Sequence, residues 1–278
     1  MAFASKNWDD HVRDAEQLAR GAGLQAVRDR ILELARPAAD EVVVDFGAGT
    51  GLLALAVADG VRKVWAVDSS RAMSEYLQVK AESAELTNVR VVLASVTSVP
   101  LVDCVADLVL SNYCLHELAD RDKRQALSEA FRLLRPGGRL VVGDMMFSLN
   151  PSGPRDRRII SEKLRAIGRR GPSGWLRLVK NALRLVTGRW EHPQRAAWWR
   201  VALEQSGFER IDVELLRHEA GIASAYRPAL DRITRATAIS ALPGRAGPRH
   251  RSTSTPHDHR AVAVASLGAK RSRNPLAA

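Results

Sequence analysis

The run Asp45-Phe46-Gly47-Ala48-Gly49-Thr50-Gly51 is where this 278-residue sequence is best equipped to hold a ligand. Glycines at 47, 49 and 51 allow a sharp backbone turn and a close approach of a ligand to the main chain. A second acid, Asp68, stands 23 residues beyond Asp45. That is the spacing at which a carboxylate ending the next strand grips ribose hydroxyls. A dinucleotide site needs its third glycine one residue later, where this chain has Leu52. Asp45 would also repel a pyrophosphate seated at the turn. A nucleoside with no phosphate and a positive charge suits that carboxylate better; S-adenosylmethionine, with a sulfonium and an ammonium, is such a ligand. Transfer of its methyl group needs an in-line nucleophile and draws mainly on proximity and orientation. A hydroxyl acceptor adds the need for a base, whereas many nitrogen and carbon acceptors need less. The candidate bases are His116 and Glu117, with Asp144, His192, His218 and Glu219 behind them. The plain alternatives are a helix-start histidine beside a solvated glutamate at 116–117, and a surface pair at 218–219.

These residues need a scaffold, and the apolar pattern supplies one. Residues 7–36 carry helical spacing at Val12, Ala15 and Ala19, then at Leu24, Val27, Ile31 and Leu34, and Pro37 ends the segment. Strands are predicted over 42–44, 63–67, 89–93, 106–111 and 139–143. Helices are predicted over 52–58, 71–84 and 122–134, with Pro136-Gly137-Gly138 as the turn into the fifth strand. Strands alternating with helices imply βαβ units and a parallel sheet with right-handed crossovers. The pattern changes after Asn150: basic amphipathic helices are expected over 155–170 and 175–189, joined by Gly171-Pro172-Ser173-Gly174, with a further helix over 193–206. Residues 211–216 and 222–226 suit a closing antiparallel pair.

The chain resembles the class I S-adenosylmethionine-dependent methyltransferases over roughly residues 7–228. The resemblance runs through 42–51, 64–69, 91–101, 106–118 and 133–144. The stretch Asp107-Leu108-Val109-Leu110-Ser111-Asn112-Tyr113-Cys114-Leu115-His116, followed by Leu133-Leu134-Arg135-Pro136-Gly137-Gly138, looks like the small-molecule branch. The resemblance implies an α/β fold: a doubly wound Rossmann-like sheet, mostly parallel with an antiparallel closing strand, plus a helical cap. It places Gly47, Gly49 and Gly51 against the methionine and ribose, with Asp45 beside them. It gives the ribose hydroxyls to Asp68, next to Ser69, sets Ser95 and Val96 beside the adenine, and puts Asn112 near the sulfonium. The family often has Asp where this chain has Ser95, so the adenine amino group would lose a charge-assisted bond.

The resulting organisation is N-terminal helices over 1–40, a methyltransferase domain over 41–228 with a helical cap inserted at 151–200, and a basic tail over 229–278 whose composition suits disorder. The formal charge of +11 is uneven: residues 1–150 carry −4, 151–200 carry +10 and 235–278 carry +7. The half with the motifs is therefore acidic, and the high pI does not make it a nucleic-acid surface. Four of the six tryptophans, Trp175, Trp190, Trp198 and Trp199, fall in the cap. With its arginines they could cover a flat acidic acceptor, pack the cap onto the sheet, or bring helix 175–189 to a membrane surface. A small-molecule acceptor methylated at oxygen or nitrogen is expected. The competing readings are an RNA or other nucleic-acid methyltransferase and a non-catalytic S-adenosylmethionine-binding protein. Ser111-Asn112-Tyr113-Cys114 lacks the paired prolines that amino-methylating base enzymes carry there, and no RNA-binding module is visible. No metal constellation is expected. No apolar run reaches the roughly 20 residues that cross a bilayer, so no integral membrane contact is expected. Two cysteines, Cys104 and Cys114, form no disulfide framework and suit a cytoplasmic protein. A homodimer is compatible with all of this.

Overall fold

The computed structural model describes residues 7–148, 153–168 and 192–229. Its centre is a seven-stranded sheet: β1 (Val42–Phe46), β2 (Lys63–Asp68), β3 (Val89–Leu93), β4 (Ala106–Asn112), β5 (Leu134–Met145), β6 (Glu209–Leu215) and β7 (Ala220–Tyr226). The order is β3-β2-β1-β4-β5-β7-β6. The first five strands in this order are parallel, and β7 runs antiparallel to both β5 and β6. The chain winds outward from β1 to β3 and then crosses back to β4. That reversal opens a crevice at the carboxyl ends of β1 and β4, where open α/β sheets bind ligands.

β1 is buried at every position, because helices cover both faces of the sheet and leave no place for alternation. On one face lie α2 (Ala22–Ala35), α3 (Ala54–Ala58) and α4 (Arg71–Ser83), with Ile31, Leu53, Leu77 and Val57 in a common core. On the other lie α5 (Asp120–Leu133) and α7 (Ala196–Gln205), packed through Leu127, Leu133, Trp199, Leu203 and Phe208. A short 3-10 turn (Trp8–His11) and α1 (Val12–Ala19) lead into α2. They are tied to the start of α4, where Asp9 Oδ1 accepts from the Ser70 hydroxyl (2.5 Å) and the Ala72 N–H (3.0 Å). Ser70 in turn caps α4 by accepting from the Met73 N–H (3.1 Å).

Several boundaries depart from expectation. The helix expected over 52–58 is regular only from Ala54, because the glycine turn occupies its first residues. Pro136-Gly137-Gly138 does not separate α5 from the fifth strand. β5 starts at Leu134, and the three residues form an irregularity inside it: Ala106 pairs with Leu134, but Leu108 already pairs with Arg139. Gly137 there has φ +83°. Its N–H donates to the Arg227 carbonyl (3.0 Å), and Gly138 O accepts from the Arg227 N–H (2.8 Å), so β7 closes over the bulge. The closing antiparallel pair stands where the pattern put it.

Of the inserted segment, α6 (Pro154–Gly168) and α7 are described. Trp175, Trp190, the helix expected over 175–189 and the joint at 171–174 lie outside the described residues, as does the tail beyond 229. α6 is anchored at the carboxyl edge of the sheet by Arg155. Its guanidinium donates to the carbonyls of Met146 (2.7 Å), Leu216 (3.2 Å), His218 (2.6 Å) and Ala220 (3.0 Å). Among the described residues no helix is long and apolar enough to cross a membrane.

Candidate active site

The glycine turn follows β1 with three residues in left-handed backbone: Gly47 at φ +70°, Gly49 at +51° and Gly51 at +93°. Their reasons differ. A Cβ on Gly47 would overlap the Cys114 thiol, and one on Gly51 would meet Leu55 at 2.8 Å. These two glycines serve the packing of the protein on itself. Gly49 would meet only the Gly47 carbonyl, at 4.0 Å, so its side-chain direction is open to a ligand. Asp68, at the end of β2, reaches across to the turn: Oδ2 accepts from the Gly49 N–H and Oδ1 from the Ser70 N–H, both at 2.8 Å. Burial raises its pKa, and those N–H bonds oppose the shift. Three backbone N–H groups, those of Ser70, Gly49 and Ser69, thus favour the ionised carboxylate. Lys80, on α4, braces the turn from outside by donating to Thr50 O (2.8 Å) and pairing with Glu16 of α1 (3.0 Å).

Asp45 is buried at the end of β1. Burial, with Asp68 adding to it, pushes its pKa up to about 7, against one hydrogen bond from the Ala54 N–H. Its Oδ2 has no partner among the described residues, and neither do Nδ2 and Oδ1 of Asn112 on the neighbouring β4. Buried polar atoms without partners are rare and costly. These three, among several in the described residues, stand near the carboxyl ends of the neighbouring strands β1 and β4. The cofactor residues expected from the sequence thus converge at one edge, except on the adenine side. There Val96 is buried, but Ser95 is exposed and its hydroxyl bonds to Thr97 Oγ1 (2.8 Å). Ser69 is exposed beside Asp68.

Beyond β4 the chain turns abruptly. Tyr113 has φ +51°, a conformation that costs a bulky side chain on the order of 1 kcal/mol or more. Its N–H is held by the Gly143 carbonyl (2.8 Å). The turn delivers Cys114 and then a 3-10 turn, Leu115–Glu117. The Cys114 thiol has its pKa raised well above the ordinary value, first by burial and then by Asp68, Asp144, Asp45 and Glu117. Four carboxylates therefore surround this point. Burial and these carboxylates disfavour the thiolate there.

His116 is buried in the 3-10 turn that precedes α5, with Glu117 partly exposed beside it. Its Nδ1 lies 2.6 Å from Asp144 Oδ1, its backbone N–H donates to Asp144 Oδ2 (3.0 Å), and its Nε2 faces Glu117 Oε1 at 3.7 Å. Asp144, which looked isolated along the sequence, is therefore the partner of His116. The β4–β5 register explains this: Asn112 stands opposite Gly143, so the next residue of β5 emerges beside the turn. Tyr113 was missed as well; nothing in its residue type signals a left-handed backbone. The ring of Tyr113 packs edge-on to His116 with centroids 5.8 Å apart. His192 joins from the returning end of the insertion, its N–H donating to His116 O (2.7 Å). Lys123, also missed, is fully buried and donates to Leu118 O (2.6 Å), tying the 3-10 turn to α5. Burial lowers its pKa.

The other candidates disperse. His218 is exposed at the turn between β6 and β7, near Glu162 of α6 (3.9 Å). Trp199 is buried in the core between α7 and the sheet. Trp198 packs edge-on against it at 5.5 Å and beneath Arg124 at 5.1 Å. These two rings dock α7. Among the described residues no cluster of His, Cys, Asp and Glu could hold a metal ion.

Residues 43–138, from β1 to the bulge in β5, match the family model described as a methyltransferase domain. An uncharacterized methyltransferase of Geobacillus kaustophilus is 31% identical over 121 residues, which cover 43% of this chain and 54% of that protein. Residues 43–138 form a methyltransferase domain. The chain spans about half the length of the curated relatives it matches. Among solved structures, a SAM-dependent methyltransferase from Aquifex aeolicus matches with TM-score 0.55 and 18% identity, over 77% of this chain and 97% of that one. The [4+2]-cyclase SpnF matches with TM-score 0.54 and 19% identity, over 74% of this chain and 81% of that one. At these identities the likeness establishes the fold, and this fold carries more than one chemistry.

Proposed function

We propose that the protein binds S-adenosylmethionine at the carboxyl ends of β1, β2 and β4 and transfers its methyl group to the oxygen or nitrogen of a small molecule. The observation that carries this reading is the set of partnerless buried atoms, Asp45 Oδ2 and the Asn112 amide, beside the open face of Gly49. Asp45 and Asn112 would face the charged end of the donor. Gly47, Gly49 and Gly51 would lie along it, Asp68 with Ser69 would take the ribose hydroxyls, and Ser95 and Val96 would flank the adenine. When bound, the donor supplies an electrophilic methyl carbon on a positively charged sulfur. His116 would accept the acceptor's proton, and Glu117 would stabilise the charge that results. The insertion over 151–200 would cover the acceptor, entering from α6 and returning through His192. Calorimetric titration with S-adenosylhomocysteine and S-adenosylmethionine tests the reading: one site per chain is expected, and the absence of heat with both ligands would refute it.

Methylation of a pyrimidine carbon is disfavoured by the raised pKa of Cys114. A purely ligand-binding role leaves the buried His116–Asp144 pair without a purpose.

A further inference from the structure

The outer face of α6 takes no part in the donor site, and its charge is opposite to that of the half of the chain that carries the motifs. We propose that this face, together with the β6–β7 turn, docks on an anionic lipid bilayer.

α6 meets the body of the protein along one side. Ile159 is buried there, and the Arg155 guanidinium donates to the carbonyls of Met146 at the end of β5 and of His218 in the β6–β7 turn. Residues at i, i+4 and i+7 share a helix face, so Arg157, Ser161 and Leu164 form the line opposite Ile159. Arg157 is exposed, and Leu164 is 51% exposed. Arg158 and Arg165, both exposed, flank that line on the side of the turn. The Arg158 guanidinium donates to the Arg217 carbonyl (3.0 Å), which brings exposed Arg217 to the same face. Two acids of the helix are matched elsewhere: Glu162 faces His218 and Asp156 faces Arg195, both at 3.9 Å. Among the described residues, Arg157, Arg158, Arg165 and Arg217 make no ion pair. Like charges left unmatched on one face repel one another, and an anionic partner relieves that repulsion.

The kind of partner follows from what accompanies the charge. Against the phosphates of a nucleic acid the exposed leucine would be stranded, and the face carries no aromatic ring on which a base could stack. On a bilayer the arginines lie at headgroup level with their apolar stems laid inward, and Leu164 reaches the acyl boundary. The charge of the whole molecule gives the orientation: residues 151–200 carry +10 and residues 1–150 carry −4, so a negative surface attracts the side of α6 and repels the opposite one.

The full-length protein is sedimented with vesicles of phosphatidylcholine alone and of phosphatidylcholine mixed with phosphatidylglycerol. Binding to the mixed vesicles only is expected, and it should weaken as salt rises. Because the tail is basic too, two variants that lose the same charge are compared. Arg157→Gln/Arg165→Gln/Arg217→Gln removes side chains that have no ion pair in the fold and should weaken binding about ten-fold or more, whereas Arg245→Gln/Arg249→Gln/Arg251→Gln, in the tail, should change it by about two-fold or less. Leu164→Ser should weaken binding at low and high salt alike. Thermal unfolding is followed for each variant. If the first triple variant loses its transition, Leu164→Ser and Arg157→Gln decide, and both must weaken binding. No sedimentation with the mixed vesicles, equal losses from the two triple variants, or full binding by the first would overturn the proposal. So would binding of bulk tRNA that the first triple variant abolishes while vesicles stay unbound, which would give the face to nucleic acid.

Discussion

Asp45 and Asp68 do opposite things with the same chemical group. Asp68 has satisfied its carboxylate with backbone N–H groups, so its remaining capacity can go to a ligand. Replacing it with alanine should weaken S-adenosylhomocysteine binding by about 1.5–3 kcal/mol, the range for a charged hydrogen bond. It should also loosen the turn at Gly49; calorimetry and hydrogen exchange at 47–51 read the two effects separately. Asp45 is buried with one oxygen unpartnered and a pKa pushed up to about 7. A raised carboxylate pKa means that ionisation costs more in the folded chain than in the unfolded one, where it occurs near 3.8. The penalty is absent below pH 4, grows toward pH 7 and is constant above it. Asp45→Asn should therefore raise stability by a few kcal/mol at pH 8 and leave it unchanged near pH 4, while donor binding is lost. Chemical denaturation across that range checks this, and an equal gain at both pH values would contradict it. A cationic donor should also bind more tightly as pH rises from 6 to 8, with proton release measurable in buffers of different ionisation enthalpy.

At the level of elements, α6 and α7 divide the insertion into an anchor and a wedge. Arg155 holds α6 to four carbonyls at the end of β5 and the β6–β7 turn. Arg155→Met keeps the apolar stem and removes the donors, so amides of α6 should exchange faster while those of β1 and β4 stay protected. Equal protection in variant and wild type would mean that apolar contacts such as Ile159 hold the helix alone. The tryptophans of α7 bear on the core. Trp199→Ala should cost about 3–5 kcal/mol of stability, as for other large aromatics lost from a core. Donor affinity measured below the melting transition should not change. A changed acceptor preference with intact stability would return Trp199 to the pocket.

For the molecule as a whole, closure of the sheet comes late in the chain. β7 inserts between β5 and β6, and Arg227 then donates to Phe131 O (2.8 Å) and Leu134 O (2.6 Å). Among the described residues, the last contact that secures the sheet is therefore at the end of β7. A chain ending at Arg235 should unfold as cooperatively as the full one and bind S-adenosylhomocysteine equally well. It loses residues 236–278, which carry +6, so its adhesion to cation-exchange resin should fall. A broadened transition would show that the segment beyond 235 packs on the domain.

The order of elements and the strand ends that gather at one edge of the sheet were legible in the sequence. β1 to β5 are short apolar runs at βαβ spacing, and Asp45, Gly49, Asp68 and Asn112 lie at strand ends that a doubly wound sheet must gather. Local pattern suffices there because burial on both faces of a parallel strand leaves a direct trace in residue type. Pairings across the sheet leave none. Asp144 and His116 are 28 residues apart, and they meet because β5 lies beside β4 with a bulge at Pro136–Gly138 that sets the register. The left-handed backbone at Tyr113, the burial of Lys123 and the turn of Trp198 and Trp199 toward the core likewise depend on which helix lands on which face. The sequence by itself therefore determined the fold and which strand ends share one edge of the sheet. Only the tertiary structure decided that His116 pairs with Asp144, because a partner that arrives from another strand leaves no trace in local sequence.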